Sequence, residues 1–104
     1  MDLNYDGFDW DDFNSQKVKA RMSLEEIEAL FKDKVLVRED LRHSLSEQRF
    51  IAMGEVHKRL MFVAYTIRKN GAETLIRVIS CRYVHSGSKE EEIYEKAKAI
   101  FEKA

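Results

Sequence analysis

The chain has 104 residues, 44% hydrophobic and 36% charged, with a net charge of −1. That length suits a single domain spanning residues 1–104, and no apolar run reaches the ~18 residues a membrane span needs. The lone cysteine, Cys81, excludes an internal disulfide, and the acidic start "MDLNYDGFDWDD" lacks the basic-then-apolar layout of a secretion signal, so a cytoplasmic protein is expected.

In chain order, Asn4–Trp10 reads as a short strand or extended arm anchored by Tyr5, Phe8 and Trp10. Asp11 and Asp12 introduce a short helix from Phe13 to Ala20, with Phe13 and Val18 on a narrow apolar face. Ser23 then opens a capping box, in which its hydroxyl and the Glu26 carboxylate satisfy each other's free amides. Leu24, Ile27, Leu30 and Phe31 follow at helical spacing and predict a second helix to Lys32. "VLV" at 35–37 predicts a strand, and "REDLRHSLSE" an exposed, charged loop.

Three strands come next. Glu47–Gly54 alternates apolar and other residues. Arg59–Arg68 is apolar on both faces, which marks a central strand. Glu73–Tyr83 follows the turn "KNGA", in which Asn-Gly is a hairpin signal. A second capping box, Ser88 with Glu91, opens a last helix carrying Ile93, Ala97, Ile100 and Phe101 on one face. Glu92 and Lys96 form a pair in the favourable order. The whole predicts an α+β fold: a small antiparallel meander, two N-terminal helices and one C-terminal helix, with the helices on one sheet face. The other face is then free for function or for a partner.

Charge is unevenly distributed. Residues 1–16 hold five acids and no base, whereas residues 47–83 hold seven bases against three acids. Such a local positive field serves a polyanion even at a net charge near zero; solvated strand edges that discourage aggregation are the competing explanation. Strand parity decides what each arginine sees. In one register Glu47, Tyr65 and Arg77 line up across three strands with Arg49 one step away. In the other, set by a two-residue Asn70-Gly71 loop, Ser80 and Arg82 join the face of Tyr65. Either places a tyrosine with arginines on one side. Guanidinium forks suit phosphate oxygens and stay charged at any cellular pH; the structural alternative is an Arg77–Glu47 cross-strand bridge. His43, His57 and His85 share no spacing that would hold a metal, so no metal site is expected. Cys81 is expected to be a buried apolar side chain. Tyr5, Phe8, Trp10 and Phe13 either stack bases or pin the N-terminal segment to the core.

The ordered set of motifs resembles the BrnT toxins of bacterial type II toxin–antitoxin modules. It comprises "FDWD" (Phe8–Asp11), "SLEEIEALF" (Ser23–Phe31), "EQRFIAMG" (Glu47–Gly54), "RLMFVAYTIR" (Arg59–Arg68), "IRVISCRY" (Ile76–Tyr83), and Glu90 with Tyr94. One departure is that the family's Lys-His-Gly before the second helix is replaced by Lys19-Ala20-Arg21. The resemblance implies a RelE-like ribonuclease fold and a metal-independent endoribonuclease that needs no cofactor and inhibits growth. It also implies a hetero-oligomer with a cognate, BrnA-like ribbon-helix-helix antitoxin. In that chemistry the RNA 2′-hydroxyl attacks the adjacent phosphorus. Arg49, Arg77 and Arg82 become the phosphate or transition-state contacts, with Arg68 and Arg59 as further RNA contacts. Tyr65, Lys19 and Glu47 become the proton-transfer candidates. A non-catalytic interaction protein that keeps the antitoxin surface is the alternative. A DNA binder in its own right is disfavoured, because both candidate helices are acidic.

Overall fold

The computed structural model of the chain describes residues 4–33 and 35–103, without the side chains of residues 101 and 103. Phe101, expected on the apolar face of the last helix, therefore lies outside the described side chains. The elements are β1 (Gly7–Phe8), α1 (Asp12–Lys19), α2 (Leu24–Lys32), β2 (Leu36–Glu39), a 3-10 turn (Leu41–His43), β3 (Arg49–Val56), β4 (Arg59–Asn70), β5 (Glu73–Tyr83) and α3 (Lys89–Lys103). They form an α+β fold on a five-stranded sheet of order β1-β5-β4-β3-β2.

Strands β2 to β5 make the expected antiparallel meander. The N-terminal arm adds one feature the sequence did not predict: β1 pairs parallel with β5, Gly7 opposite Leu75 and Phe8 opposite Ile76. Its aromatics hold it there. Phe8 stacks on Trp10 at 5.8 Å and meets the Phe31 ring edge-on at 5.6 Å, and Tyr5 joins the same cluster. The Trp10 indole N–H donates to Glu28 on α2. Phe13 takes no part; it is 79% exposed.

Helix α1 opens on a capping box that the sequence reading missed, in which Asp11 and Asn14 bond each other's backbone N–H. Asn14 is itself buried, and its amide donates to Asp9 O and Val78 O. Removing a satisfied buried amide of this kind costs ~1–3 kcal/mol, so this residue ties arm, helix and sheet together. Helix α2 follows its predicted Ser23–Glu26 box and buries Ile27, Leu30 and Phe31 against the sheet. Each such side chain contributes ~1.5–3 kcal/mol.

Helix α3 departs from the expected layout. Helices α1 and α2 cover one sheet face, but Tyr94 of α3 is buried with Leu60 and Val84 against Leu36, Met53 and Phe62, on the opposite face. Ser88 caps α3 through the Glu91 N–H, while the Glu91 carboxylate reaches one residue further back, to the Gly87 N–H. The expected Glu92–Lys96 pair forms at 2.9 Å on the exposed side.

The register differs from both sequence alternatives. The β4–β5 loop is Gly71-Ala72, with Asn70 opposite Glu73. Within this loop positive φ falls on Gly71 and not on Ala72, as a type II′ turn requires, rather than on the Asn-Gly pair of a type I′ turn. Across the sheet Arg49 is opposite Thr66, and Thr66 is opposite Arg77. Between Ala64 and Tyr65 the pairing shifts by one, so that Ala64 faces Ser80 while Tyr65 faces Val78. Ile79 is the extra residue of a β-bulge, which bends the strand and reverses side-chain parity beyond it.

Candidate functional site

The bulge decides the site. Arg82 lies five positions after Arg77, and in a regular strand the two would point to opposite faces. With Ile79 looped out, Ile76, Val78 and Cys81 face the helices and are buried, while Arg77, Ser80 and Arg82 take the other side.

That open face reads as a grid. One row runs Leu36, Met53, Phe62, Arg82; the next Arg38, Ile51, Ala64, Ser80; the next Arg49, Thr66, Arg77. Rows are about 6.6–6.8 Å apart and strands about 4.8 Å apart. Arg49 and Arg82 are thus separated by roughly 16 Å on the diagonal, and address a stretch of backbone rather than one phosphate.

Each arginine has a distinct setting. Arg82 lies over the Phe62 ring at 4.4 Å and pairs with Glu90 of α3 at 2.5 Å, which fixes its plane while leaving other donors outward. Arg77 is 19% exposed and held by Asp11 at 2.9 Å and Asp9 at 3.4 Å. The Asn14 backbone N–H and then the Arg77 guanidinium keep the Asp11 carboxyl below its ordinary range. Arg68 pairs with Glu47 at 3.0 Å, so the bridge considered for Arg77 and Glu47 belongs to other partners. Arg38, Arg42 and Arg49 make no ion pair among the described residues.

Three candidates fall elsewhere. Tyr65, expected beside the arginines, is 1% exposed on the helix side, edge-on to Phe31 at 5.1 Å and stacked on Phe50. Burial pushes its phenol up to about 12, which suits a core residue and not a proton carrier. Arg59 also faces the helix side, over the Tyr83 ring at 3.5 Å, with the Tyr83 hydroxyl donating to Glu26. Lys19 ends the exposed last turn of α1, in the helix layer. Cys81 is a buried free thiol, as expected, raised by that burial.

Arg82 is the meeting point of the concave surface. It borders a depression of about 570 Å³ floored by Ile51 and Phe62 and walled by Arg38, Arg42 and His43, with Asp40 and Glu90 at the rim. Around the β5 edge, a second cleft brings Lys17 and Arg21 of the α1 region to Ser80 and Arg82. Arg38, Arg42, Lys17 and Arg21 were given no role from the sequence, and His43 was weighed there only as a metal ligand. The alternation of β2 and the Asp40–His43 spacing were the signals available for Arg38 and His43. Among the described residues no cluster of three or more His, Cys, Asp or Glu could hold a metal ion, and no helix is long and apolar enough to cross a membrane.

Residues 10–88 match the model described as "Ribonuclease toxin, BrnT, of type II toxin-antitoxin system". The chain belongs to the BrnT toxin family. No match was found among curated proteins. As a BrnT toxin it is a ribonuclease whose system includes a cognate antitoxin, and its α+β layout is that of the RelE-like toxins.

Proposed function

We propose that this BrnT toxin is a single domain over residues 1–104 that cuts single-stranded RNA without a metal ion, on the open face of its sheet. The observation carrying this is the Ile79 bulge, which turns Arg82 to the side already occupied by Arg49 and Arg77. Arg49 and Arg77 contact phosphates flanking the cleavage point, and Arg38 and Arg42 extend the field. Arg82, held against the Phe62 ring and Glu90, stabilises the added charge on phosphorus under attack by the 2′-hydroxyl. Arg68 assists from its pairing with Glu47, whose carboxylate is thereby engaged. Lys19 and Arg59 stand outside this surface. The substrate is opened or single-stranded, because in-line attack requires a splayed backbone.

The partner is a ribbon-helix-helix antitoxin of the BrnA type, joined to the toxin in a cytoplasmic hetero-oligomer. It covers the arginine face with an acidic or apolar element. The apolar cleft beside that face, lined by Leu36, Ile51, Met53, Ile93 and Tyr94, supplies the hydrophobic part of such a surface.

Purified toxin is expected to cleave a single-stranded RNA in excess EDTA, leaving a 2′,3′-cyclic phosphate and a 5′-hydroxyl. The same oligonucleotide with one 2′-deoxy sugar at the cut site is expected to resist. Cleavage of the deoxy substrate, or dependence on added divalent metal, overturns the mechanism. The engagement of Arg68, Arg77 and Arg82 by carboxylates supports a second reading, a non-catalytic toxin-fold protein that binds the antitoxin. Harmless expression of folded protein without antitoxin would select it.

A further inference from the structure

We propose that His43, oriented by Asp40, is the general base that takes the proton from the attacking 2′-hydroxyl; this rests on the ribonuclease reading of the arginine face. The pair is not where a base was expected, since Tyr65 is in the core, Lys19 in the helix layer and Glu47 on Arg68.

Asp40 follows the last residue of β2 and its side chain is only 15% exposed. Its backbone N–H donates to Arg49 O at 2.8 Å, and its carbonyl accepts from the Ser44 hydroxyl at 2.7 Å and the His43 N–H at 3.2 Å. The Ser44 hydroxyl in turn accepts from the Arg49 N–H at 3.0 Å. The turn is thereby tied to the start of β3, beside the arginine face, and its side chains are held relative to the sheet. His43 Nδ1 lies 2.8 Å from Asp40 Oδ2. A carboxylate there places the proton of the neutral ring on Nδ1 and leaves the lone pair on Nε2. The ring is otherwise open to solvent, 62% exposed, and lines the depression that contains Arg82.

The charged groups around the imidazole are Arg38 and Glu39 of β2, Asp40 and Arg42 of the turn, Arg82 of β5 and Glu90 of α3. Glu39 is engaged by the Gln48 side chain and Glu90 by Arg82, so the carboxylate in contact with the ring is Asp40. The other histidines lack this orientation. His57 sits in the β3–β4 turn at φ 52°, and His85 borders the β5 edge with no carboxylate bonded to it among the described residues.

In the step, Nε2 accepts the 2′-hydroxyl proton as the 2′-oxygen–phosphorus bond forms. The phosphorus–5′-oxygen bond breaks with its electron pair on the 5′-oxygen, which takes a proton from water. The products are a cyclic phosphate and a 5′-hydroxyl. No oxidant, reductant or metal enters the balance.

The experiment compares the full chain with His43→Ala, Asp40→Asn, His85→Ala and Arg82→Ala, measuring kcat/KM on one RNA oligonucleotide between about pH 5 and pH 9. The wild type is expected to gain rate with pH and level off once an imidazole is neutral. His43→Ala is expected to lose ~10²–10⁴-fold and with it the acid limb, and added imidazole is expected to restore part of the rate. Asp40→Asn is expected to lose less, through a misoriented ring, and His85→Ala to keep the limb. Circular dichroism checks that each variant is folded. Cleavage by His43→Ala within about threefold of wild type, or a loss that keeps the acid limb and ignores imidazole, overturns the assignment. If the limb vanishes in His85→Ala instead, the base is not His43. A wild type that cleaves with Arg82→Ala impaired and His43→Ala intact removes His43 alone, whereas a folded wild type with no cleavage removes the ribonuclease reading together with it.

Discussion

Replacing Arg82 with alanine separates a catalytic role from a structural one, because the two differ in size. Its structural contacts are modest. The ion pair with Glu90 joins side chains 38% and 41% exposed, a setting worth ~0.2–1 kcal/mol. The contact with the Phe62 ring adds about 0.5–1 kcal/mol. The fold should therefore lose about 1–2 kcal/mol, a fraction of the ~5–15 kcal/mol typical of a domain. A guanidinium aimed at a developing phosphorane charge is worth more, ~10²–10³-fold in rate or about 2.7–4 kcal/mol of barrier. Steady-state cleavage of a quenched RNA oligonucleotide in EDTA gives the second quantity, and urea unfolding of the same preparation gives the first. Arg82→Lys should fall between, since it keeps the charge and loses the planar fork. Cleavage by folded Arg82→Ala at a rate near wild type would show that the bulge aims this side chain at nothing catalytic.

Other outcomes test neighbouring parts. Glu90→Gln frees Arg82 from its carboxylate and should tighten RNA binding several-fold at low salt, an effect that fades as ionic strength rises; gel-shift titration at two salt concentrations measures it. Tyr65→Phe should leave cleavage within about twofold and stability within ~1 kcal/mol, because the side chain packs in the helix-side core and takes no part in the step. Acid unfolding probes Asp11, whose folded carboxyl lies below the ordinary value of 3.8. Its contribution is complete above that value and is lost as pH falls through the lower folded one. Asp11→Asn keeps a capping side chain but loses the charge facing Arg77, so its urea midpoint should change less than that of wild type over this acid range.

Most of the fold was legible in the sequence because local chemistry and long-range packing agree. Ser23–Glu26 marks the start of α2, its apolar spacing gives the buried face, and two-sided apolarity identifies β4 as central. The register was not legible for an equally physical reason. Asn70-Gly71 and Gly71-Ala72 are both acceptable two-residue loops of the same parity, and it is the one-residue bulge farther along that exchanges the faces of β5. Nothing around Ile79 announces a bulge, so the parity of Arg77 and Arg82 could be found only from the pairing. That same parity sent Tyr65 inward and left the arginines together. The acids of the N-terminal arm were read as a bulk charge, whereas folding brings Asp9 and Asp11 onto Arg77. "REDLRHSLSE" was read as a charged connection; its Asp40–His43 spacing acquires meaning only when the turn is seen tied to β3 beside Arg82.

The looped-out Ile79 makes the length of β5 a matter of function as well as stability. Deleting that one codon would let the ladder run on without interruption, because Tyr65–Val78 and Ala64–Ser80 would become consecutive pairs, and Arg77, Ser80 and Arg82 would stay on one side. Straightening the strand at its present length would instead send either Arg77 or Arg82 to the helix layer. A lesion of three nucleotides at this codon therefore spares the toxin's grip on a nucleic-acid chain, whereas a substitution that presses residue 79 into the ladder breaks it.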